Sequence, residues 1–448
     1  MSKKDTLLFR SSGSAQHFLL SKSDTKQLRS EKATTAANVI DVLKSAYPDM
    51  LTGRSFIDSA MRNLDSKAHF TAMVVRLDQV QQDFEAFTHS GTINGQVEVA
   101  EILNTICRSE NGIWGTFEPG LFGLFLPEKD GSQSLTIAQN IQKRMTEKTQ
   151  KTLTIGVASY PTLSYRKPEI VDNAHKALDH ATFFGPNSAV IFDGVSLNIS
   201  GDNLFEDGKI QEAIEELKKA LMLEPSNVNV HNSLGVCYGL LGKYEEANEE
   251  FNSAVEIDPE EYMAFYNLGL ISMLKKQNDQ ALGYLLKAEK INPDVFEVAF
   301  HIGKLYFELN NLAKSKPYLE RAAKLSPDSG TVFRYLGDCY TEESKPEAAI
   351  DAYKKAIKKN PHDAAAMSAL GYSLEELGKN PEIALMFCRE SVAISPENPL
   401  FRYRLGRLYS TRSQFDEALN EFNIAKQLGY DAGNEIQQIE DQLAAETS

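Results

Sequence analysis

The chain has 448 residues, 42% hydrophobic and 24% charged, with 47 Lys+Arg against 62 Asp+Glu and a formal net charge of −15. That length accommodates two or three domains, each able to bury a core. All of the excess negative charge falls in residues 194–448, which argues against nucleic acid as the ligand of that half, because phosphate is repelled there. No run of 18 apolar residues occurs, and the opening MSKKDTLLFRSSGSAQHFLL is too polar and broken for a signal peptide. The four cysteines, Cys107, Cys237, Cys339 and Cys388, have no CxxC spacing and stand in apolar helical contexts. Buried free thiols in a reducing cytoplasm are the expectation.

In chain order, residues 1–47 read as a mobile tail over 1–22 and then a lead-in helix. Its stripe (Leu28, Ala36, Ile40, Val42, Leu43) is suited to core packing or to pairing with a second copy in a homodimer. Residues 48–193 alternate strands and helices. HFTAMVVRL is a β-run, followed by a helix near 94–107. GIWGTFEPGLFGLFLP reads as a hairpin turning at Glu118, Pro119 and Gly120, with Trp114 in its core. A helix over 134–149, the strand TLTIGVASY, a helix over 168–183 and the strand AVIFD complete an α/β domain. His175 and His180, five apart on that last helix, are expected to be solvated.

Five segments of this domain carry a family resemblance. PDMLTGRSF is similar to the D-x-L-T-G-L-x-N-R-x-x-F opening of GGDEF (diguanylate cyclase) domains, and MVVRLDQV to their first strand. GTFEPGLFGLFLP resembles R-Y-G-G-D-E-F-x-x-x-L-P. TIGVASYP and NAHKALDHATFFGPNSAVIFD resemble the family's S-I-G-V-A-x-Y-P and its closing segment. The resemblance implies a nucleotide-cyclase-like fold and a bacterial source. Family enzymes join two GTP molecules into cyclic di-GMP with carboxylate-held Mg²⁺, a chemistry that needs acidic ligands. Here Arg76 stands at the strand carboxylate, and Glu118, Pro119, Gly120, Leu121 and Phe122 stand at G-G-D-E-F. Asp78 matches the non-ligand Asp. The guanine-binding Asn falls near Phe84, the G-D pair is at best Gly95-Gln96, and the R-x-x-D motif has only Arg108 with Asn111. The expectation is a degenerate domain without metal, cofactor or catalytic residues. A nucleotide sensor for GTP or cyclic di-GMP, or a weak cyclase, is the competing reading.

From residue 194 a different pattern takes over. In VNVHNSLGVCYGLLGKYEEANEEFNSAVEIDP, Leu234, Gly235, Tyr238, Ala247, Phe251, Ala254 and Pro259 mark two amphipathic helices joined near Gly242. The frame repeats every 34 residues, as at Leu268/Gly269/Ala281, Ile302/Gly303/Leu319, Leu336/Gly337/Ala349 and Leu370/Gly371/Ala384, with one residue inserted near Asn380. This resembles a tetratricopeptide repeat (TPR) array, with seven copies over 194–432 and a polar-faced capping helix over 433–448. No linker separates it from the α/β domain, so the two are expected to dock.

The TPR resemblance implies an all-α solenoid with a groove lined by the first helix of each repeat. Matching positions are Tyr266, Asn267, Phe300, His301, Lys304, Phe307, Arg334, Tyr335, Tyr372, Tyr403, Arg404 and Arg407. Arginine with tyrosine in an acidic chain suits a peptide or carboxylate-bearing protein partner. The expected function is a non-catalytic scaffold in signalling or envelope assembly.

Overall fold

In the computed structural model residues 39–78 and 89–446 are described. The expected tail, Leu28, Ala36 and Phe84 lie outside them. The chain divides into two compact units, one up to Pro259 and one from Glu260.

The first unit is built on a sheet of order β2-β3-β1-β4-β5. Its strands are β1 (Phe70–Leu77), β2 (Ile113–Glu118), β3 (Leu121–Pro127), β4 (Leu153–Tyr160) and β5 (Ala189–Ile191). Central β1 is antiparallel to both neighbours, with Met73 opposite Leu124 on β3 and Val157 on β4. β2 is antiparallel to β3, so β1 and β2 run parallel with β3 inserted between them, a split β-α-β pattern; β4 and β5 pair in parallel.

Helices cover both faces. α2 (Gly53–Leu64) and α5 (Glu169–Thr182) pack with Phe70, Ala72 and Val74, whereas α1 (39–46), α3 (His89–Glu110) and α4 (Gly131–Thr149) pack with Met73 and Val75. Successive side chains of a strand alternate faces, and with both faces covered β1 reads as a continuous apolar run. Val39 and Leu43 of the lead-in helix are buried in this second layer. α5 runs so close over β4 that a β-carbon on Gly156 would lie 2.1 Å from the Ala174 carbonyl oxygen.

Within the same unit the core continues into the first helical hairpins, α6 (Gly194–Glu206) with α7 (Ile210–Leu223), and α8 (Val228–Leu240) with α9 (Tyr244–Ile257). Leu197, Ala213, Leu217 and Val230 belong to one cluster with Phe70 and Ala174. Lys176 of α5 pairs with Glu216 of α7, whose carboxylate also accepts from Ser200 Oγ at 2.9 Å. The last strand is shorter than expected because Asp193 is a cap. Its carboxylate accepts from the Ser196 amide at 2.8 Å in a capping box that starts α6.

The second unit repeats one hairpin five times and adds a closing helix. The pairs are α10 (Tyr262–Leu274) with α11 (Asn278–Ile291), α12 (Phe296–Glu308) with α13 (Leu312–Leu325), α14 (Gly330–Glu342) with α15 (Pro346–Lys359), α16 (Ala364–Glu376) with α17 (Pro381–Ile394), and α18 (Pro399–Ser410) with α19 (Phe415–Gln427). α20 (Gly433–Glu446) follows, with Ile436 and Ile439 buried. Each turn between paired helices places one residue in the left-handed region: Lys276, Asn310, Ser344, Gly378 and Ser413. The inserted residue is absorbed at the α16–α17 turn, where Asn380 is a second left-handed residue (φ 47°).

Candidate functional site

In the second unit the first helices of successive hairpins lie side by side, α12 against α14, α14 against α16 and α16 against α18. Their shared face carries the residues expected to line a groove, but not all of them reach its surface. Tyr266, Asn267 and His301 are buried. The His301 ring packs 5.8 Å from Tyr266 and 5.2 Å from Phe300, and its Nδ1 has no hydrogen-bond partner. Burial, reinforced by Lys304, pushes its pKa down to about 3. Being buried, these three form the floor of that face.

Above that floor stand half-buried aromatics. Tyr335 meets Phe300 at 5.7 Å and Phe307 at 5.8 Å between ring centroids. The Arg334 guanidinium lies 4.4 Å over Tyr335 and forms ion pairs with Asp338 and Asp363, each at 3.4 Å. Lys304 Nζ is 3.7 Å from Glu308.

Towards the last hairpins the face becomes cationic. Arg404 stacks on Tyr372 at 5.4 Å, and its Nη1 lies 3.4 Å from Ser368 Oγ. Arg407 has its pKa raised by contact with Tyr403, against the opposing cost of burial. Tyr403 packs on Tyr430 at 4.5 Å and donates its hydroxyl to Glu435 at 2.6 Å. Arg321, Arg402 and Arg412 each have a carboxylate within 3.0 Å. Among the described residues Arg404 and Arg407 have none within 4.0 Å.

The α/β region was the other expected site. Arg76 pairs with Leu121 and Thr154 across the sheet, and Glu118 is exposed at the hairpin end. Asp78 is a structural tie: it accepts from Thr154 Oγ1 at 2.6 Å and from the Asn187 amide at 2.9 Å. The Gly120 amide in the turn is taken by Gln96 Oε1 at 2.8 Å. His175 and His180 are not solvated as expected. His175 packs on Phe117, and burial lowers its pKa despite Asp172, Asp179 and Glu118 nearby. His180 is buried against Ser196 and Asp193, at 3.3 and 3.2 Å. Trp114 is half-buried, edge-on to Tyr47, and its Nε1 donates to Asn104 at 3.3 Å.

A family model described as TPR repeat matches residues 201–242 and 337–378. Models described as tetratricopeptide repeat match 228–261, 264–295 and 300–356. The chain carries tetratricopeptide repeats. No curated protein matches it. Among solved structures it is similar to PilF of Pseudomonas aeruginosa, at 20% identity over 47% of this chain and 95% of that one, with a TM-score of 0.44. YrrB, described as a TPR protein with an unusual peptide-binding site, is 19% identical over 41% and 95%, with a TM-score of 0.37. A TPR protein from Parabacteroides merdae is 18% identical over 55% and 96%, with a TM-score of 0.42. No described helix is long and apolar enough to cross a membrane.

Sequence reasoning missed Ser368, Asp338 and Asp363 on the TPR face and Glu435 beside it. Ser368 and Asp338 occupy lining positions in the same frame, whereas Asp363 is the N-cap of α16. Glu435 belongs to the helix after the last TPR hairpin, which no repeat position flags.

Proposed function

We propose that the chain is a non-catalytic protein–protein interaction scaffold whose second unit takes an extended segment of a partner protein along the first helices of its repeats. The observation that carries this is the pair Arg404 and Arg407, which stand on that face with no carboxylate within 4.0 Å among the described residues although the chain has a net charge of −15. A half-exposed guanidinium with no ion-pair partner is available to a ligand, and Arg with Tyr is the usual composition of an interface anchor. Phe300, Phe307 and Tyr335 supply an apolar anchor site on the same face.

For the α/β region we infer a degenerate GGDEF-like module with a structural role. Arg76 in place of a carboxylate repels a divalent cation, and the hairpin offers little to a phosphate because Pro119 has no amide hydrogen and the Gly120 amide is already bonded. Its core is continuous with that of the first hairpins, which suits an end-piece for the array.

Peptide display selection on the full chain, followed by titration, tests the scaffold reading. Selected peptides should lose at least about tenfold in affinity with Phe300→Ala or Arg404→Ala, as anchor residues do, and should bind Lys324→Ala, altered on the exposed part of α13, normally. Peptides indifferent to both groove substitutions, or none at all, contradict it.

A further inference from the structure

We propose that Tyr403 and Arg407 form a carboxylate subsite in the last repeat, and that Glu435 of the closing helix α20 holds it as a built-in competitor. An acidic residue of a partner then enters the groove by displacing Glu435. The inference rests on the scaffold reading above and adds to it the chemistry and the regulation of one subsite.

The chain itself shows what the subsite accepts. The Tyr403 hydroxyl donates to Glu435 Oε1 at 2.6 Å, the short length of a charge-assisted bond. Arg407 lies beside the same hydroxyl, and Arg404 stands one residue further along the helix. Tyr430, in the chain leading into α20, packs on the Tyr403 ring.

Glu435 is also placed to leave without unfolding anything. It lies in the first turn of α20, and the helix is fastened by Ile436 and Ile439, which are buried, together with Ala432 just before it. Glu435 makes no ion pair within 4.0 Å among the described residues; its ties are the Tyr403 bond and the longer-range attraction of Arg407. A single half-exposed contact of this kind is weak and readily exchanged for a stronger one. A partner carboxylate that reaches both Arg404 and Arg407 makes contacts Glu435 does not, which gives the exchange its direction.

The test uses the full chain and a fluorescently labelled, C-terminally amidated hexaglutamate peptide, titrated by anisotropy at low salt. Removing the competitor with Glu435→Gln should tighten binding about threefold or more, the scale of one partly exposed charge pair. Arg407→Ala should weaken binding about tenfold both alone and combined with Glu435→Gln. Equal or weaker binding by Glu435→Gln overturns the inference, as does binding that ignores Arg407 or an absence of binding by every chain. The scaffold reading is judged separately. Display-selected peptides that require Phe300 while Glu435→Gln changes nothing would remove the competitor and leave the groove, whereas the absence of any groove-dependent peptide removes both.

Discussion

The ring of Tyr353 lies so close over Gly337 that a β-carbon there would sit 2.4 Å from its Cε1. The same ring turns its hydroxyl to Asp338, to which it donates at 2.8 Å. One residue therefore sets the spacing of the α14–α15 hairpin and also satisfies a carboxylate on the groove face. Gly337→Ala forces the helices apart and should cost about 1–3 kcal/mol, read as a lower urea midpoint with unchanged slope. Tyr353→Phe keeps the packing but removes the donor to a half-buried carboxylate, and should cost about 1 kcal/mol.

The turns within the second unit offer a change of the opposite sign. Lys276 (φ 58°) and Ser344 (φ 54°) hold the left-handed conformation that Gly378 adopts at the equivalent turn. A β-carbon makes that conformation unfavourable, by roughly 1–2 kcal/mol for an ordinary residue. Glycine regains part of this in the fold and loses part in the unfolded chain. Lys276→Gly should therefore stabilise by about 0.5–1 kcal/mol in urea denaturation, and destabilisation would contradict the strain assigned to this turn.

A half-buried carboxyl and a buried imidazole should give opposite pH responses. Asp202 on α6 has its carboxyl pushed up to about 6 by burial, with Glu206 adding and the Ser233 hydrogen bond opposing. Between about pH 4 and pH 6 the folded chain binds a proton that the unfolded chain does not, so stability falls as pH rises through that window. Asp202→Asn should gain about 2–3 kcal/mol at pH 7 or above and almost nothing near pH 4, by paired urea curves.

His301 runs the other way. Burial, with Lys304 adding, depresses its pKa to about 3, so the unfolded chain binds the extra proton. The stability that this neutral ring contributes is fully present above about pH 6.5 and is lost as pH falls towards about 3. His301→Asn places there the residue that Asn267 supplies one repeat earlier and should remove this acid sensitivity. NMR titration of the ring is the check, and an ordinary imidazole pKa near about 6.5 would contradict its burial.

The repeat frame was legible because its marker residues are demanded by packing. Gly337 and Ala349 stand where two helices touch, and no larger side chain fits at Gly337. The frame also put Tyr335, Tyr372 and Arg404 on one side of the first helices, since helical spacing decides which side they share. It did not reveal depth. His301 and Asn267 occupy lining positions, yet both are buried, and the Tyr266 ring packs 5.8 Å from the His301 ring, a contact set by side chains one repeat apart. His180 was misjudged for a similar reason, because it is buried by Ser196 and Asp193 from the segment after β5. The capping box that shortens β5 was written in the sequence as Asp193 three residues before Ser196, ahead of an apolar stretch, and only its geometry shows the strand ending there.

The most direct test of groove binding maps where a partner lies. A display-selected peptide carrying a photoreactive phenylalanine analogue is crosslinked to the full chain, and the adducts are located by mass spectrometry. Adducts should fall on α12, α14, α16 and α18, around Phe300, Tyr335, Tyr372 and Arg404, and should vanish with Arg404→Ala. Adducts confined to α11, α13 and α15, or to the α/β sheet, would contradict the assignment of the first-helix face as the partner site.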